Sequence, residues 1–341
     1  MSDPKVSIVI LNYNTAGLLE KLVPFALKTN YSNFEVVVAD NASTDESCAV
    51  IEKHFPSVRL IRLDKNHGFA QGYNLALEQI HTPYAVLLNS DVEVDPNWLS
   101  PLIELMERHP DMGAIQPKIL DYYKRDHFEY AGASGGFIDR FAYPFCRGRL
   151  MDTLEEDRGQ HDAPMSVLWA SGAAMLVRLE AYRQVGGLDA DFFAHMEEID
   201  LCWRMQNAGY YVVAGTEAKV YHMGGGTLDS MKPRKTYLNF RNNMALITKN
   251  LPFTDWVKIF VARLFLDGLA GVKFLLEGKP GHTWAIVKAH WSFFFMLPYW
   301  WRKRKHSNPM TPLRRLTGGV PKSLIYHYYA RGVRDLETFF K

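Results

Sequence analysis

The first ninety residues alternate between short β-branched runs and amphipathic helical stretches, and this alternation limits the fold more than any other feature. Val6-Ser-Ile-Val-Ile-Leu11 is a strand signal, and Thr15–Thr29 follows with Leu18, Leu19, Leu22 and Phe25 at helical spacing. Glu35–Ala39 reads as a second strand and Ser43–Phe55 as a second helix, with Ser43 or Thr44 as its N-cap. Val58–Leu63 and Tyr84–Leu88 are further strands, with a helix over Ala70–Ile80 between them. Strands and helices in this order build an α/β unit, a mainly parallel sheet flanked by helices. Ligands of such sheets bind beyond the carboxyl ends of the strands.

Polar residues collect at those ends. Asn12-Tyr-Asn14 follows the first strand, Asp40-Asn-Ala-Ser-Thr-Asp45 the second, and Asn89-Ser-Asp91 the fourth. Asn66-His-Gly-Phe-Ala-Gln-Gly-Tyr-Asn74 ends the third connection. A turn or a helix cap explains any one of them. Four at one sheet edge point to a ligand. A carboxylate after the second strand can accept from the imide N–H of a pyrimidine base, and the neighbouring amides can contact ribose. One after the fourth can hold a hard divalent cation that bridges a diphosphate and improves it as a leaving group.

Taken in order, Ser7-Ile-Val-Ile-Leu-Asn-Tyr-Asn14, Val38-Ala-Asp-Asn-Ala-Ser-Thr-Asp45, Asn66–Asn74 and Leu87-Leu-Asn-Ser-Asp91 resemble the inverting glycosyltransferases of family 2, which have the GT-A nucleotide-sugar-binding fold. The nearest likeness is to the rhamnosyltransferase-like branch that builds bacterial surface polysaccharides, and it runs from Lys5 to Thr227. The resemblance implies that Asp40 contacts the base, with Asn12, Asn14 and Asn41 near the nucleotide. It implies that Gly68, Gly72 and Asn74 shape the nucleotide-sugar pocket, that Asn89 and Ser90 line it, and that Asp91 ligates Mg²⁺ or Mn²⁺. Asn89 stands where a strict Asp-X-Asp motif has its first Asp, and Asn is a weaker, neutral ligand.

The second half of the expected site lies between Trp169 and Thr227. Trp169-Ala-Ser-Gly-Ala-Ala-Met-Leu-Val177 reads as a strand whose small residues permit close approach. His195-Met-Glu-Glu-Ile-Asp200 crowds three acids at a helix start. The macrodipole accounts for one or two of them. Three beside Phe192, Phe193 and Trp203 repel one another and raise at least one pKa, as a general base requires. By the resemblance that base is Glu198, with Glu in place of the commoner Asp, and Glu197, Asp200 and Trp169 bind the acceptor or orient the base. Asp200 and Arg204 also have the spacing of a plain helical ion pair. His222, ahead of Gly224–Gly226, is implied to complete the metal shell or touch the diphosphate.

The formal charge is −13 through Met231 and +15 from Lys232 onward. Trp291–Trp301 is an aromatic run of eleven residues that meets Arg302-Lys-Arg-Lys305, and Trp256–Leu276 reads as an apolar helix. Neither reaches the roughly eighteen apolar residues of a spanning helix. The expectation is a helical extension over 236–341 that lies on an anionic membrane surface, beside a catalytic domain over 1–235. No nucleic-acid motif accompanies the charge. Three scattered cysteines and the lack of a signal-peptide pattern point to a reducing cytosol, hence to a peripheral protein on the inner face of the cell membrane. The reaction expected is transfer from a nucleoside-diphosphate sugar to a glycan or lipid-linked acceptor. A catalytically silent sugar- or lipid-binding scaffold is the rival reading. A dinucleotide-binding dehydrogenase fails, because Asn12–Gly17 lacks Gly-x-Gly-x-x-Gly.

Overall fold

The structure is a computed structural model that describes residues 3–224, 233–307 and 311–341. The chain opens with β1 (Val6–Asn12), α1 (Ala16–Leu27), β2 (Phe34–Asp40), α2 (Ser47–His54), β3 (Arg59–Arg62), α3 (Gly68–Glu78), β4 (Tyr84–Asn89) and β5 (Val92–Val94). It continues through α4 (Leu99–Arg108) and β6 (Met112–Asp121) into four short strands, β7 (Gly136–Ile138), β8 (Pro144–Cys146), β9 (Arg149–Leu150) and β10 (Thr153–Leu154). Then come β11 (Met165–Val167), β12 (Ala174–Arg178), α5 (Leu179–Gln184), α6 (Glu197–Asn207) and β13 (Tyr211–His222). The C-terminal third is helical: α7 (Pro233–Asn250), α8 (Phe253–Leu276), α9 (Pro280–Ser307) and a short α10 (Leu336–Phe340).

The main sheet has the order β11-β13-β6-β12-β4-β1-β2-β3, with β5 pairing on β13, and β7 to β10 form a second sheet. β3, β2, β1 and β4 are mutually parallel, whereas β12 runs antiparallel between β4 and β6. The continuous apolar runs of β1, β2 and β4 follow from burial on both faces. Val9, Val37 and Leu87 point into one apolar layer with Ala70 and Tyr73 of α3. Ile8, Ile10, Val36 and Val38 point into the other with Leu19 and Val23 of α1 and Leu102 of α4. The first layer reaches Leu246 of α7 and Phe293 and Trp300 of α9, so the helical third shares the core of the sheet. The boundary expected between 235 and 236 falls inside α7.

Local differences from the sequence reading have clear causes. α2 begins at Ser47, because the Ser43 hydroxyl is engaged by Asn12 and by the Asn14 N–H. Asp45 caps instead: its two oxygens accept from Ser47 N–H at 3.1 Å and Ala16 N–H at 3.0 Å, at the N-termini of two helices. Of Trp169–Val177, only Ala174–Val177 belongs to β12; Gly172 and Ala173 form a turn before it. The aromatic run 291–301 sits inside the long helix α9 and buries Phe293 and Trp300.

Candidate active site

The carboxyl ends of β1, β2 and β4 gather the polar clusters on one edge. Parallel pairing sets Asn12 opposite Asp40. The Asn12 amide donates to Asp40 Oδ1 at 2.9 Å and to Ser43 Oγ at 3.1 Å, while Asp40 Oδ2 accepts from Ser43 N–H at 2.9 Å. Asn12 is fully buried, so it acts on a ligand only by aiming Asp40. Asn41 donates to Asn66 Oδ1 and Gly68 O and accepts from His67 N–H, which clasps the start of α3. Asn74 likewise donates to Leu188 O at 2.8 Å and accepts from Tyr182 Oη and Leu188 N–H. These three amides brace the pocket from behind. The Asn14 side chain is exposed at the rim.

Two glycines permit this packing. Gly68 has φ +74°, and a Cβ there would stand 3.0 Å from the Phe193 ring. A Cβ on Gly72 would stand 3.0 Å from Leu11 and 3.2 Å from the Asn41 amide.

The turn after β4 carries Asn89, half-buried, then Ser90, whose hydroxyl accepts from Thr15 at 3.2 Å, and buried Asp91. β13 pairs with β5 and β6, which brings its last residue, His222, opposite Val92 and Asp121. His222 Nε2 then lies 3.1 Å from Asp91 Oδ1. Behind it, Glu129 Oε2 lies 3.0 Å from Nδ1, an ion-pair approach outside hydrogen-bond alignment. Burial disfavours the imidazolium, but the two carboxylates outweigh it and raise the His222 pKa to about 10. A carboxylate oxygen and an imidazole nitrogen side by side are a donor pair that suits a divalent cation once the proton leaves. Among the described residues no three such side chains make a cage, so a cation here would take further ligands from the substrate.

Across β4, the segment 170–174 leads to the acid cluster. Asn89 N–H donates to Ala173 O at 3.0 Å. A Cβ on Gly172 would stand 3.0 Å from the tip of the Phe69 ring and 4.0 Å from the Glu198 Cβ, so this segment runs close to both side chains. Glu197 and Glu198 open α6, and each keeps an Oε2 buried with no hydrogen-bond partner among the described residues. Burial pushes Glu198 up to about 7, against backbone N–H groups that pull it down. Burial and then the Glu198 charge push Glu197 well above the carboxylate range. Of the pair, Glu198 is the less enclosed, which is what a base facing a substrate needs.

The approach to this pair is strained and clamped. Phe193, His195 and Met196 have φ of 65°, 70° and 75°, left-handed values that cost a non-glycine residue about 1–2 kcal/mol each. The Asn242 amide of α7 donates to the carbonyls of Phe192, Ala194 and His195 at 2.9, 2.9 and 2.7 Å. Arg241 donates to Asp191 O and Phe192 O at 3.0 Å each.

The sequence that builds this sheet edge matches a known family. The model described as glycosyl transferase family 2 matches residues 7–186, just over half of the chain. The chain belongs to that family. It is 27% identical over 232 residues to an N-acetylglucosaminyl-diphospho-decaprenol L-rhamnosyltransferase of Mycobacterium tuberculosis, a match covering 63% of this chain and 75% of the relative. It is 28% identical over 223 residues to the O-antigen biosynthesis protein RfbC of Myxococcus xanthus, covering 64% of this chain but 17% of that protein. A mannosyltransferase of Pyrobaculum calidifontis, solved with GDP-Man and Mn²⁺, superposes with a TM-score of 0.54 at 15% identity, over 91% of this chain and 86% of that one. The fold of this family 2 glycosyltransferase is GT-A.

Two expected site residues of the glycosyltransferase have other work. Asp200 is fully buried; Arg204, Lys249 and Asn250 bind it at 2.8–2.9 Å, so it holds α6 to α7 rather than an acceptor. Burial works against its charge, but Lys249 and Arg204 outweigh that and lower its pKa. Trp169 is buried too, donates its indole N–H to Phe137 O at 3.1 Å, and lies so close to Gly136 that no side chain fits there. Gly225 and Gly226, two of the three glycines that follow His222, lie outside the described residues. Glu129 carries no motif and escapes sequence reading; only the β6–β13 pairing and the loop after β6 bring it to His222.

Proposed function

We propose that this glycosyltransferase moves a sugar, with inversion, from a UDP- or dTDP-linked donor to a saccharide or lipid-linked acceptor in cell-surface polysaccharide synthesis, with rhamnose as the first sugar to test. It would work from the cytoplasmic side of an anionic membrane. The observation that carries the chemistry is the Glu197–Glu198 pair, each with one buried Oε2 lacking a hydrogen-bond partner among the described residues, set beside Gly172 at the edge where Asp91 meets His222. The names of the mycobacterial rhamnosyltransferase and of RfbC support the sugar and the polysaccharide setting.

Asp40, aimed by Asn12, takes the base; Asn14, whose oxygen accepts from Thr44 N–H at 2.7 Å, offers its NH2 to the donor, and Asn89 its side-chain amide. Asp91 and His222 would hold Mn²⁺ or Mg²⁺, and the imidazole favours Mn²⁺. The cation supplies charge to the diphosphate. Glu198 accepts the proton of the acceptor hydroxyl as its oxygen forms the bond to the anomeric carbon. The bond from that carbon to the diphosphate oxygen breaks on the opposite face, so the configuration inverts.

The test is nucleoside-diphosphate release from a panel of nucleotide sugars with a lipid-linked or saccharide acceptor. One donor should give turnover, chelator should stop it, and Glu198→Gln should lower kcat by about 10²–10⁴-fold while the donor still binds. Turnover by Glu198→Gln within about tenfold of wild type removes Glu198 as the base. No turnover with any donor would favour the silent scaffold.

A further inference from the structure

Helix α8 is built inside out. Its buried face carries Ile259, Arg263, Asp267 and Gly271, at steps of four. Arg263 and Asp267 form an ion pair at 3.1 Å, extended by His290 to Asp267 at 3.0 Å and closed over by Tyr143. The solvent face is apolar: Val257, Val261, Phe265, Leu269, Val272 and Leu276 follow at steps of three or four. A helix that ends in water carries the opposite pattern. α9 continues the face with Trp284, Trp291 and Phe295 around Lys288, whose ammonium lies 5.6 Å from the Trp284 ring centroid. Exposure is high at the largest of these: Phe265 67%, Leu276 85%, Trp291 75% and Phe295 91%. Such a patch marks a binding face.

Charge selects the occupant. Lys258, Lys288, Arg302 and Lys305 are exposed on these two helices. Their acids are engaged: Asp267 by Arg263, Glu277 by Lys273 and Lys279, and Asp255 by the Leu313 N–H. A symmetric dimer through this face would set cation against cation, whereas anionic headgroups neutralise them. No helix among the described residues is long and apolar enough to cross a membrane, so the fit is to the interface.

We infer that the outer face of the α8–α9 hairpin docks on an anionic bilayer by inserting Phe265, Leu276, Trp291 and Phe295 among the lipid chains. This rests on the membrane placement proposed above and is independent of the transfer chemistry. It also revises the basic cluster. Lys303 pairs with Asp189 and Asp191, and Arg304 donates to Thr248 O and Leu251 O, so only Arg302 and Lys305 are left for lipid. Asp189 and Asp191 begin the turn that Arg241 and Asn242 of α7 clamp, so α9 of the docked hairpin touches the approach to Glu198 through Lys303.

The experiment is co-sedimentation of the full chain with phosphatidylcholine vesicles, with and without phosphatidylglycerol, at low and high salt. Wild type should bind the anionic vesicles, and Phe265→Ser/Leu276→Ser/Trp291→Ser/Phe295→Ser should bind them at least tenfold more weakly at either salt. Arg302→Gln/Lys305→Gln should lose only the salt-sensitive share, and Lys303→Gln should not reproduce it. Thermal unfolding and nucleoside-diphosphate release check that each variant is folded and that the transfer reading stands by itself. A folded quadruple variant that binds like wild type overturns the face and leaves the membrane placement standing. A folded wild type that binds no vesicle overturns both. A wild type that is dimeric without lipid, and made monomeric by the quadruple change, makes a second copy the occupant and overturns the lipid assignment.

Discussion

At the scale of single residues, Glu198 couples catalysis to stability with a sign that can be checked. Its carboxyl is pushed from an ordinary 4.5 to about 7 by burial. Between those values the native state holds a proton that the unfolded chain has released, so stability falls as pH rises through the window and stays lower above 7. At about 1.36 kcal/mol per pKa unit the penalty at pH 8 reaches at most about 3 kcal/mol. Glu198→Gln should therefore be more stable than wild type at pH 8 and no more stable at pH 4, by urea unfolding. Wild-type kcat/KM should fall below about pH 7 as the base becomes protonated. Equal stabilities at pH 8 would mean that the carboxyl is not buried as the structure has it. The acid cluster itself was plain in the sequence, because three carboxyls at a helix start are rare without cause. That one of them is a structural anchor was not, since Asp200 differs from its neighbours only by facing Lys249, 49 residues away.

At the scale of elements, a residue's place is legible in the sequence where it follows from its own strand end and is hidden where it depends on pairing. Asp40, Asp91 and His222 each end or follow a strand, so their edge was legible. Asn12, Asn41 and Asn74 look like ligand contacts in the sequence, yet their amides are engaged by partners 25 to 114 residues away. Glu129 is the clearest case. β6 and β13 run parallel with Asp121 opposite His222, and the loop after β6 folds back so that Glu129 N–H donates to Ile119 O at 3.0 Å. That return places a carboxylate behind the imidazole, as carboxylates stand behind metal-bound histidines generally. Glu129→Gln keeps the shape and removes the charge. The metal concentration for half-maximal turnover should rise about 10–100-fold, with kcat at saturating metal little changed. An unchanged metal titration would leave Glu129 as a support for the Ala131 N–H alone, which it accepts at 2.6 Å.

At the scale of the whole molecule, the jump from −13 to +15 suggested two separable parts, and the structure joins them through those charges. The acidic part carries half-buried Asp189 and fully buried Asp200, and the basic part supplies Lys249 to both and Lys303 to Asp189. Asp200 has no exposure and two cations, Arg204 on its own helix and Lys249 on α7. Removing one partner of such a group leaves charge uncompensated in a dry site, at a cost of about 3–5 kcal/mol, whereas removing both costs much less. Lys249→Met should thus destabilise the whole chain by about that amount in one cooperative urea transition. Adding Asp200→Asn should recover part of it, giving a coupling energy above about 1 kcal/mol in the double-mutant cycle. The transition should remain single because Leu246 of α7 and Trp300 of α9 lie in the same apolar layer as Val9 of β1. If Lys249→Met costs less than about 1 kcal/mol, or the transition splits in two, the helical third is an attachment. In that event the boundary suggested by charge alone is the physical one, and the clamp on the loop before Glu198 can open without unfolding the sheet.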